Sequence, residues 1–335
     1  MMKKVRVAII GTGFIAHYHA RALKAQEGVE IVAACSTRVE AVRAFADQYD
    51  IRERSTDASR LASRKDIDAV VIGIPNKFHA PYTIEFLKKG KDVLVEKPLA
   101  MNHKEGEAIV KTSRKTGKLV MVGHMWRFDV EVNYIRDIVQ SGRIGKVFKT
   151  KGYGIHVNWG PAGWFSHKAL AGGGALADMG VHAIDTVRHI LGDPQPVKVY
   201  ARVGTYLGDY DVDDTGMLMI TWDNDVTSLI ESGWWQPHMD GPEAGTRLYG
   251  TQGYASLFPT KVKFRNGFLF GEFVPELPPR QEHCDQIIFN SQMMHFIDCV
   301  RSRKTPVPGL AEGQVVMSIV DAGYASSRTG QVITL

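Results

Sequence analysis

The chain of 335 residues, 44% hydrophobic and 23% charged, has the apolar material for two ordinary domains, and its composition excludes a disordered or fibrous protein. No apolar run reaches the roughly 20 residues that cross a bilayer, and a formal net charge of +5 without an aromatic-interleaved basic stripe speaks against a nucleic-acid platform. Three cysteines, Cys35, Cys284 and Cys299, form no CxxC pair and suit a reducing compartment, so a cytoplasmic protein is expected.

The opening MMKKVRVAII pairs a basic start with an apolar stretch, as a secretory leader does, but the stretch runs directly into GTGFIA and reads as a strand entering a turn. From there short apolar runs alternate with longer amphipathic segments. The runs are VRVAII (5–10), VEIVAAC (29–35), DAVVIGI (68–74), DVLVE (92–96) and LVMVG (119–123), and helical stretches fall at 14–26, 39–49, 80–89 and 103–116. Gly90 and Gly117 stand where two of those helices should stop. Such alternation predicts an α/β fold, a Rossmann dinucleotide-binding domain over residues 1–123. Beyond Gly123 the texture changes. Helical stretches at 129–141 and 175–191 precede strand-like runs over 197–274, such as KVYARV, TGMLMITW and VTSLIESGWW, with no helix between them. Residues 285–300 and 312–328 read as helices again. An α+β domain is therefore expected over 124–335, with a large, mainly antiparallel sheet and an exposed loop at PELPPR, 275–280.

GTGFIA, residues 11–16, has the form GxGxxG/A and stands between the first strand and the first helix. Gly11 permits a tight turn and Gly13 lets the backbone approach a pyrophosphate. Phe14 and Ile15 open the helix whose amides face the phosphates, and Ala16 lets helix and strand pack closely. Residues 1–123 carry 22 Lys and Arg against 14 Asp and Glu, whereas the remainder carries 19 against 22, so the basic surplus lies in the half expected to hold an anionic cofactor. Where an acidic residue would bond the ribose 2′-hydroxyl of NAD, the chain has Ser36, Thr37 and Arg38. Hydroxyls and a guanidinium suit a 2′-phosphate, which predicts NADP in preference to NAD; Arg38 stacking on adenine or lying in solvent is the alternative.

Lys97, in the triplet Glu96-Lys97-Pro98, ends a parallel strand, which is where open α/β sheets hold their ligands. Burial there lowers an amine's pKa toward proton exchange with a substrate hydroxyl. The bland alternative is an ordinary strand end. In GGGALADMGVHAIDTVRH, residues 172–189, Asp178 and His182 are four apart and share a helix face, a stripe that Asp185 and His189 continue. A histidine with a carboxylate one turn away is an acid/base with an oriented partner. The same four residues raise the question of a metal, but zinc takes three or four close ligands and no HExxH motif is present, so none is expected.

GTGFIA, Pro75-Asn76 followed by His79, the EKP triplet, Trp126-Arg127-Phe128, GGGALADMGVHAID and the closing DAGYASSRTG together resemble the glucose-fructose oxidoreductase, inositol dehydrogenase and rhizopine-catabolism family of sugar oxidoreductases. The resemblance covers essentially the whole chain. It implies that Lys97, Asp178 and His182 are the catalytic set and that Pro75, Asn76, His79, Glu96 and Arg127 line the nicotinamide side of the cleft. For Asn76 and His79 the alternative is capping of the following helix. His156, Asn158 and Trp164 are candidates for a substrate wall, or else packing residues. The implied function is hydride transfer between NAD(P) and a sugar, cyclitol or related polyol, the substrate lying between the nicotinamide and the Asp178–His182 helix. A homodimer or homotetramer joined through the broad sheet is also implied. Two rivals remain. One is an enzyme that keeps and recycles its cofactor, exchanging hydride between two sugars or cleaving glycosides through a transient ketone. The other is a non-catalytic nucleotide-sensing regulator resembling the galactose-regulon repressor, against which intact Lys97, Asp178 and His182 argue.

Overall fold

The structure, a computed structural model, describes residues 4–237, 242–266, 269–278 and 284–335. Its first elements are β1 (Val5–Ile10), α1 (Phe14–Lys24), β2 (Val29–Cys35), α2 (Val39–Gln48), β3 (Glu53–Ser55), α3 (Ala58–Ala62), β4 (Ala69–Ile72), α4 (His79–Lys88), β5 (Asp92–Val95), α5 (His103–Thr116) and β6 (Val120–Val122). The strands form one six-stranded parallel sheet in the order β3-β2-β1-β4-β5-β6. Val7, Ile9, Val71, Ile72, Leu94 and Val122 are all buried, because helices cover both faces and leave no polar face for alternation to mark. Local chemistry ends the helices as expected. Asn102 accepts a hydrogen bond from the Glu105 amide at 2.9 Å to start α5, and Gly117, at φ +65°, closes it in the left-handed conformation. The short β3 and α3 were not legible, since three and five residues leave no period to detect.

The next elements are α6 (Val130–Gln140), β7 (Val147–Val157), α7 (Lys168–Ala171), a π turn over Leu176–Gly180, α8 (Val181–Ile190), β8 (Pro196–Gly204), β9 (Thr215–Trp222), β10 (Thr227–Gln236), β11 (Ala244–Gly250), β12 (Gly253–Leu257), β13 (Lys261–Asn266), β14 (Leu269–Phe273), α9 (Gln286–Ser302), α10 (Leu310–Thr329) and β15 (Ile333–Thr334). They contain a nine-stranded sheet, β14-β13-β12-β11-β7-β10-β9-β8-β15, antiparallel throughout except for the β7–β10 pair. In β9, Leu218, Ile220 and Trp222 are buried while Met217 and Met219 are exposed, the alternation of a sheet covered on one face. β7 lies in a stretch left unassigned from the sequence, and two glycines, Gly152 and Gly154, interrupt its strand pattern. A Cβ on Gly154 would lie 2.7 Å from the Met179 carbonyl oxygen, so this glycine is what lets the π turn pack on the strand. Of the expected loop at 275–280, residues 279–280 lie outside the described residues and 275–278 carry no helix or strand.

The chain divides into two compact units, and the division corrects the expectation of a single break near Gly123. The described residues up to Met125 form one unit together with Cys284–Gln314, and the second comprises the described residues from Trp126 onward together with Val315–Leu335. Residues 284–314 join the first unit because α9 packs on α1. The Phe289 ring lies 5.0 Å from that of Tyr18 and 5.5 Å from that of His19, and the Gln286 amide donates to the Tyr18 carbonyl at 3.1 Å. No helix among the described residues is long and apolar enough to cross a membrane.

Candidate active site

The turn after β1 is shaped for a close approach. Gly11 has φ +104°, and a Cβ there would lie 1.9 Å from the Gly73 carbonyl oxygen, so only glycine fits. Gly13 begins α1 with no side-chain cap, and a Cβ on it would meet nothing within 4 Å. The first turn of the helix therefore opens onto a glycine-lined space, as a bound pyrophosphate requires, with Phe14 exposed and Ile15 half-buried beside it. At the end of β2, Ser36 is half-buried and Thr37 and Arg38 are exposed, with no carboxylate among the three. Burial pushes the neighbouring Cys35 thiol up to about 11, which leaves it protonated at neutral pH.

The ends of β4 and β5 carry the EKP lysine and its supports. Glu96 is buried, accepts a hydrogen bond from His19 Nε2 at 2.7 Å, and accepts another from the Lys97 amide at 3.2 Å. Burial by itself raises the Glu96 pKa, but the His19 hydrogen bond and the Lys97 charge outweigh it and hold the carboxyl below its usual range. A Cβ on Gly123 would meet that carboxylate at 2.8 Å, so the glycine after β6 makes its room. His79 is also buried, with Nδ1 2.7 Å from the Pro98 carbonyl and Nε2 2.8 Å from the Ile74 carbonyl. Burial, the largest influence, lowers its pKa; the neutral ring serves one of these carbonyls at a time. Glu96 and His79 thus spend these polar atoms on protein groups, among them the Lys97 amide and the Pro98 carbonyl. The N-cap positions of the turn Asn76–Phe78 and of α4 are Pro75 and Phe78, neither of which caps through its side chain. Pro75 precedes that turn, half-buried, and Asn76 is buried.

In the second unit Asp178 lies in the π turn. Its Oδ2 accepts from the Trp234 indole at 3.1 Å and stands 3.8 Å from His156 Nε2. The other nitrogen of His156 is 3.2 Å from Glu243, whose carboxylate also takes the Trp159 indole N–H, and the Trp159 ring stacks on His156 with centroids 3.6 Å apart. His182 is buried, its ring 4.8 Å from that of Trp126. The structure therefore brings His156 to Asp178. Asn158 is exposed at φ +56° just past β7, and Trp164 stacks on Phe165, which packs on the cluster of Ala175, Met179, Val212 and Trp234.

Residues 5–124 match the model of an oxidoreductase family with an NAD-binding Rossmann fold, and residues 132–256 match the Gfo/Idh/MocA C-terminal domain. The chain belongs to the Gfo/Idh/MocA oxidoreductase family. It is 28% identical to a D-glucoside 3-dehydrogenase of Escherichia coli (strain K12), across 99% of this chain and 97% of that protein. It is 25% identical to a scyllo-inositol 2-dehydrogenase (NAD(+)) of Bacillus subtilis (strain 168), across 100% and 97%. Among solved structures, a levoglucosan dehydrogenase in complex with NADH and L-sorbose superposes with a TM-score of 0.92 at 22% identity, covering 99% of each chain, which shows the shared fold.

Two sequence expectations for this Gfo/Idh/MocA chain need correction. Arg127 is buried in the second unit and its guanidinium donates to Asp185, Asp193 and His189, which leaves no N–H for a cofactor. Asp185 and His189 accordingly belong to this ionic network, so beyond His182 the stripe continues into bracing charges. Among the described residues no three His, Cys, Asp or Glu side chains are grouped to hold a metal ion. Sequence reasoning missed His19, Trp234 and Glu243, which touch Glu96, Asp178 and His156, and Asp213 and Tyr324 beside the glycine run, all brought there by tertiary contact alone. DAGYASSRTG was noted for its resemblance, but nothing local gave its tyrosine a task.

Proposed function

We propose that this oxidoreductase moves hydride between a nicotinamide dinucleotide and a hydroxyl-bearing carbon of a sugar, cyclitol or related polyol. The observation that carries the reading is a lysine at the carboxyl end of β5, its amide fixed by a buried carboxylate, in the same unit as the glycine turn that fits a pyrophosphate. A bound nicotinamide supplies the hydride donor or acceptor. Gly11, Gly13 and the first turn of α1 would hold its pyrophosphate. Lys97 or His182 takes the hydroxyl proton in oxidation and returns it in reduction, and Asp178 orients the proton transfer. The names of the relatives, a glucoside and an inositol dehydrogenase, support the substrate class. Incubating the protein with a panel of sugars, cyclitols and their keto forms with each cofactor, while following reduced-nicotinamide absorbance, tests it. Turnover of polyols is expected, and a protein that binds cofactor yet turns over no member of the panel overturns the reading.

For the cofactor we favour NADP. Ser36, Thr37 and Arg38 offer a 2′-phosphate hydroxyl donors and a positive charge where a carboxylate would repel it. Dissociation constants should be lower for NADPH than for NADH, and Arg38→Ala should weaken NADPH selectively. Equal or tighter binding of NADH by the parent assigns Arg38 to adenine stacking. Three free cysteines support a reducing compartment, the cytoplasm. Self-association is supported by a cross-strand row on the open face of the large sheet. Tyr200, Met219 and Leu229 stand opposite one another on β8, β9 and β10, all exposed. A homodimer or homotetramer by sedimentation is expected, and a monomer sinks the assembly.

A further inference from the structure

Asp213, between β8 and β9, converges on the glycine run that leads to Asp178. Its Oδ1 accepts the Gly174 amide at 2.8 Å, its Oδ2 accepts the Leu176 amide at 2.8 Å, and its backbone carbonyl accepts the Ala175 amide at 2.7 Å. Three successive amides that would otherwise be unpaired at a helix start are thus satisfied by one distant residue. The Tyr324 hydroxyl, from α10, donates to the same carboxylate at 2.7 Å. Asp213 is buried and Tyr324 half-buried, and the run of glycines is what lets them in. A Cβ on Gly173 would lie 2.0 Å from the Tyr324 hydroxyl, and one on Gly174 would lie 1.8 Å from the Asp213 carbonyl oxygen. GGG is therefore a slot for a side-chain clamp, and the amides of Gly174, Ala175 and Leu176 are held by Asp213.

The clamp is one hydrogen bond from the catalytic turn. The Asp178 amide donates to the Gly174 carbonyl at 2.9 Å, and the Gly174 amide is the one held by Asp213. A π turn is a rare, wide turn that needs outside contacts to persist, and such turns concentrate at functional positions. Here Asp213 and Tyr324 grip its entrance. On the other side, Gly154 of β7 and Ser232 of β10 bound the turn, since a Cβ on Gly154 would meet the Met179 carbonyl and one on Gly180 would lie 3.2 Å from the Ser232 Cβ. We infer that Asp213 and Tyr324 are positioning residues of the reaction, a clamp that sets the main chain at Asp178. The inference rests on Asp178 serving catalysis.

The test uses the full chain and its Asp213→Asn, Tyr324→Phe and Asp178→Asn variants. Turnover is measured on whichever of myo-inositol and methyl β-D-glucoside the parent oxidises. Amide deuterium exchange is followed over residues 173–182, and NADPH and NADH binding by fluorescence. Asparagine turns a donor toward one of the two amides, so Asp213→Asn should lower kcat about thirtyfold and speed exchange in the peptide about tenfold. Tyr324→Phe removes one hydroxyl with little change of shape and should cost about fivefold in kcat. Cofactor dissociation constants should stay within twofold. Introduced beside Asp178→Asn, neither change should add its full loss, because both act through the same side chain. If Asp213→Asn does not fold, Tyr324→Phe decides alone. Parental kcat and parental exchange in folded Tyr324→Phe overturn the clamp, as do fully additive losses. An active Asp178→Asn instead removes the catalytic reading on which the clamp depends.

Discussion

Asp178 with His182 and Asp185 with His189 repeat the same spacing along one stretch of chain, but their surroundings differ in kind. The first pair meets aromatic rings: the Trp234 indole donates to Asp178, with His156 close by, and Trp126 lies beside His182. The second pair is locked into charge. Arg127 and Asp185, with side chains 2% and 3% exposed, meet at 2.8 Å, and Asp193 adds a second carboxylate at 2.7 Å from the same guanidinium. Burial by itself would lower the Arg127 pKa, but the two carboxylates outweigh it and hold it above its ordinary value. The difference teaches that spacing places side chains along a segment, and the groups brought against them decide which are bound into an ionic network. A buried charge so compensated is costly to disturb.

The largest expected effect breaks the bracing half. Arg127→Ala leaves Asp185 buried without its partner and should cost about 3 to 5 kcal/mol of stability, read from the urea midpoint. A midpoint near the parent's would return Arg127 to a role at the cofactor. The opposite profile is expected in the other half. His182→Ala should lower turnover at least about a hundredfold while stability changes by less than about 2 kcal/mol. Lys97→Ala should do likewise, and the double variant should lose less than the sum of the two. Additive losses would assign the lysine and the histidine to separate tasks.

The smallest effect sharpens the comparison through pH. Burial alone would raise the Asp193 carboxyl, but the neighbouring His189 ring, the hydrogen bonds from Arg127 and the charges of Arg127 and Arg188 hold it well below the usual carboxylate range. Its folded pKa lies below its unfolded one, so its contribution is fully present above about pH 4 and is lost as the pH falls toward the folded value. Asp193→Asn, which keeps a residue tolerant of the φ of +61° found there, should cost about 1 to 3 kcal/mol at pH 7. That difference should shrink in urea titrations at pH 2 to 3. A difference independent of pH would mean that the carboxylate's charge is not what stabilises the network.

Much of the first unit was legible because its information is local. Strand, glycine turn and helix follow within a few residues of one another, so VRVAII and VEIVAAC predict β1 and β2 at their observed bounds, and GTGFIA places the phosphate turn. Even there, the role of Glu96 was hidden, since its partner His19 lies 77 residues away and nothing in either segment announces the pair.

Determined by the sequence itself were the Rossmann sheet, the mainly antiparallel second sheet, the family and the residue types at the chemistry, because periodicity and motif spacing are properties of a short segment. Tertiary structure alone decided that residues 284–314 return to the first unit, that β7 runs through its glycines as a strand, and that Arg127 belongs to Asp185 and not to a cofactor. It alone showed what holds the turn of Asp178. Asp213 reaches Gly174 across 39 residues and Tyr324 reaches Asp213 across 111, and only folding brings together groups so far apart along the chain.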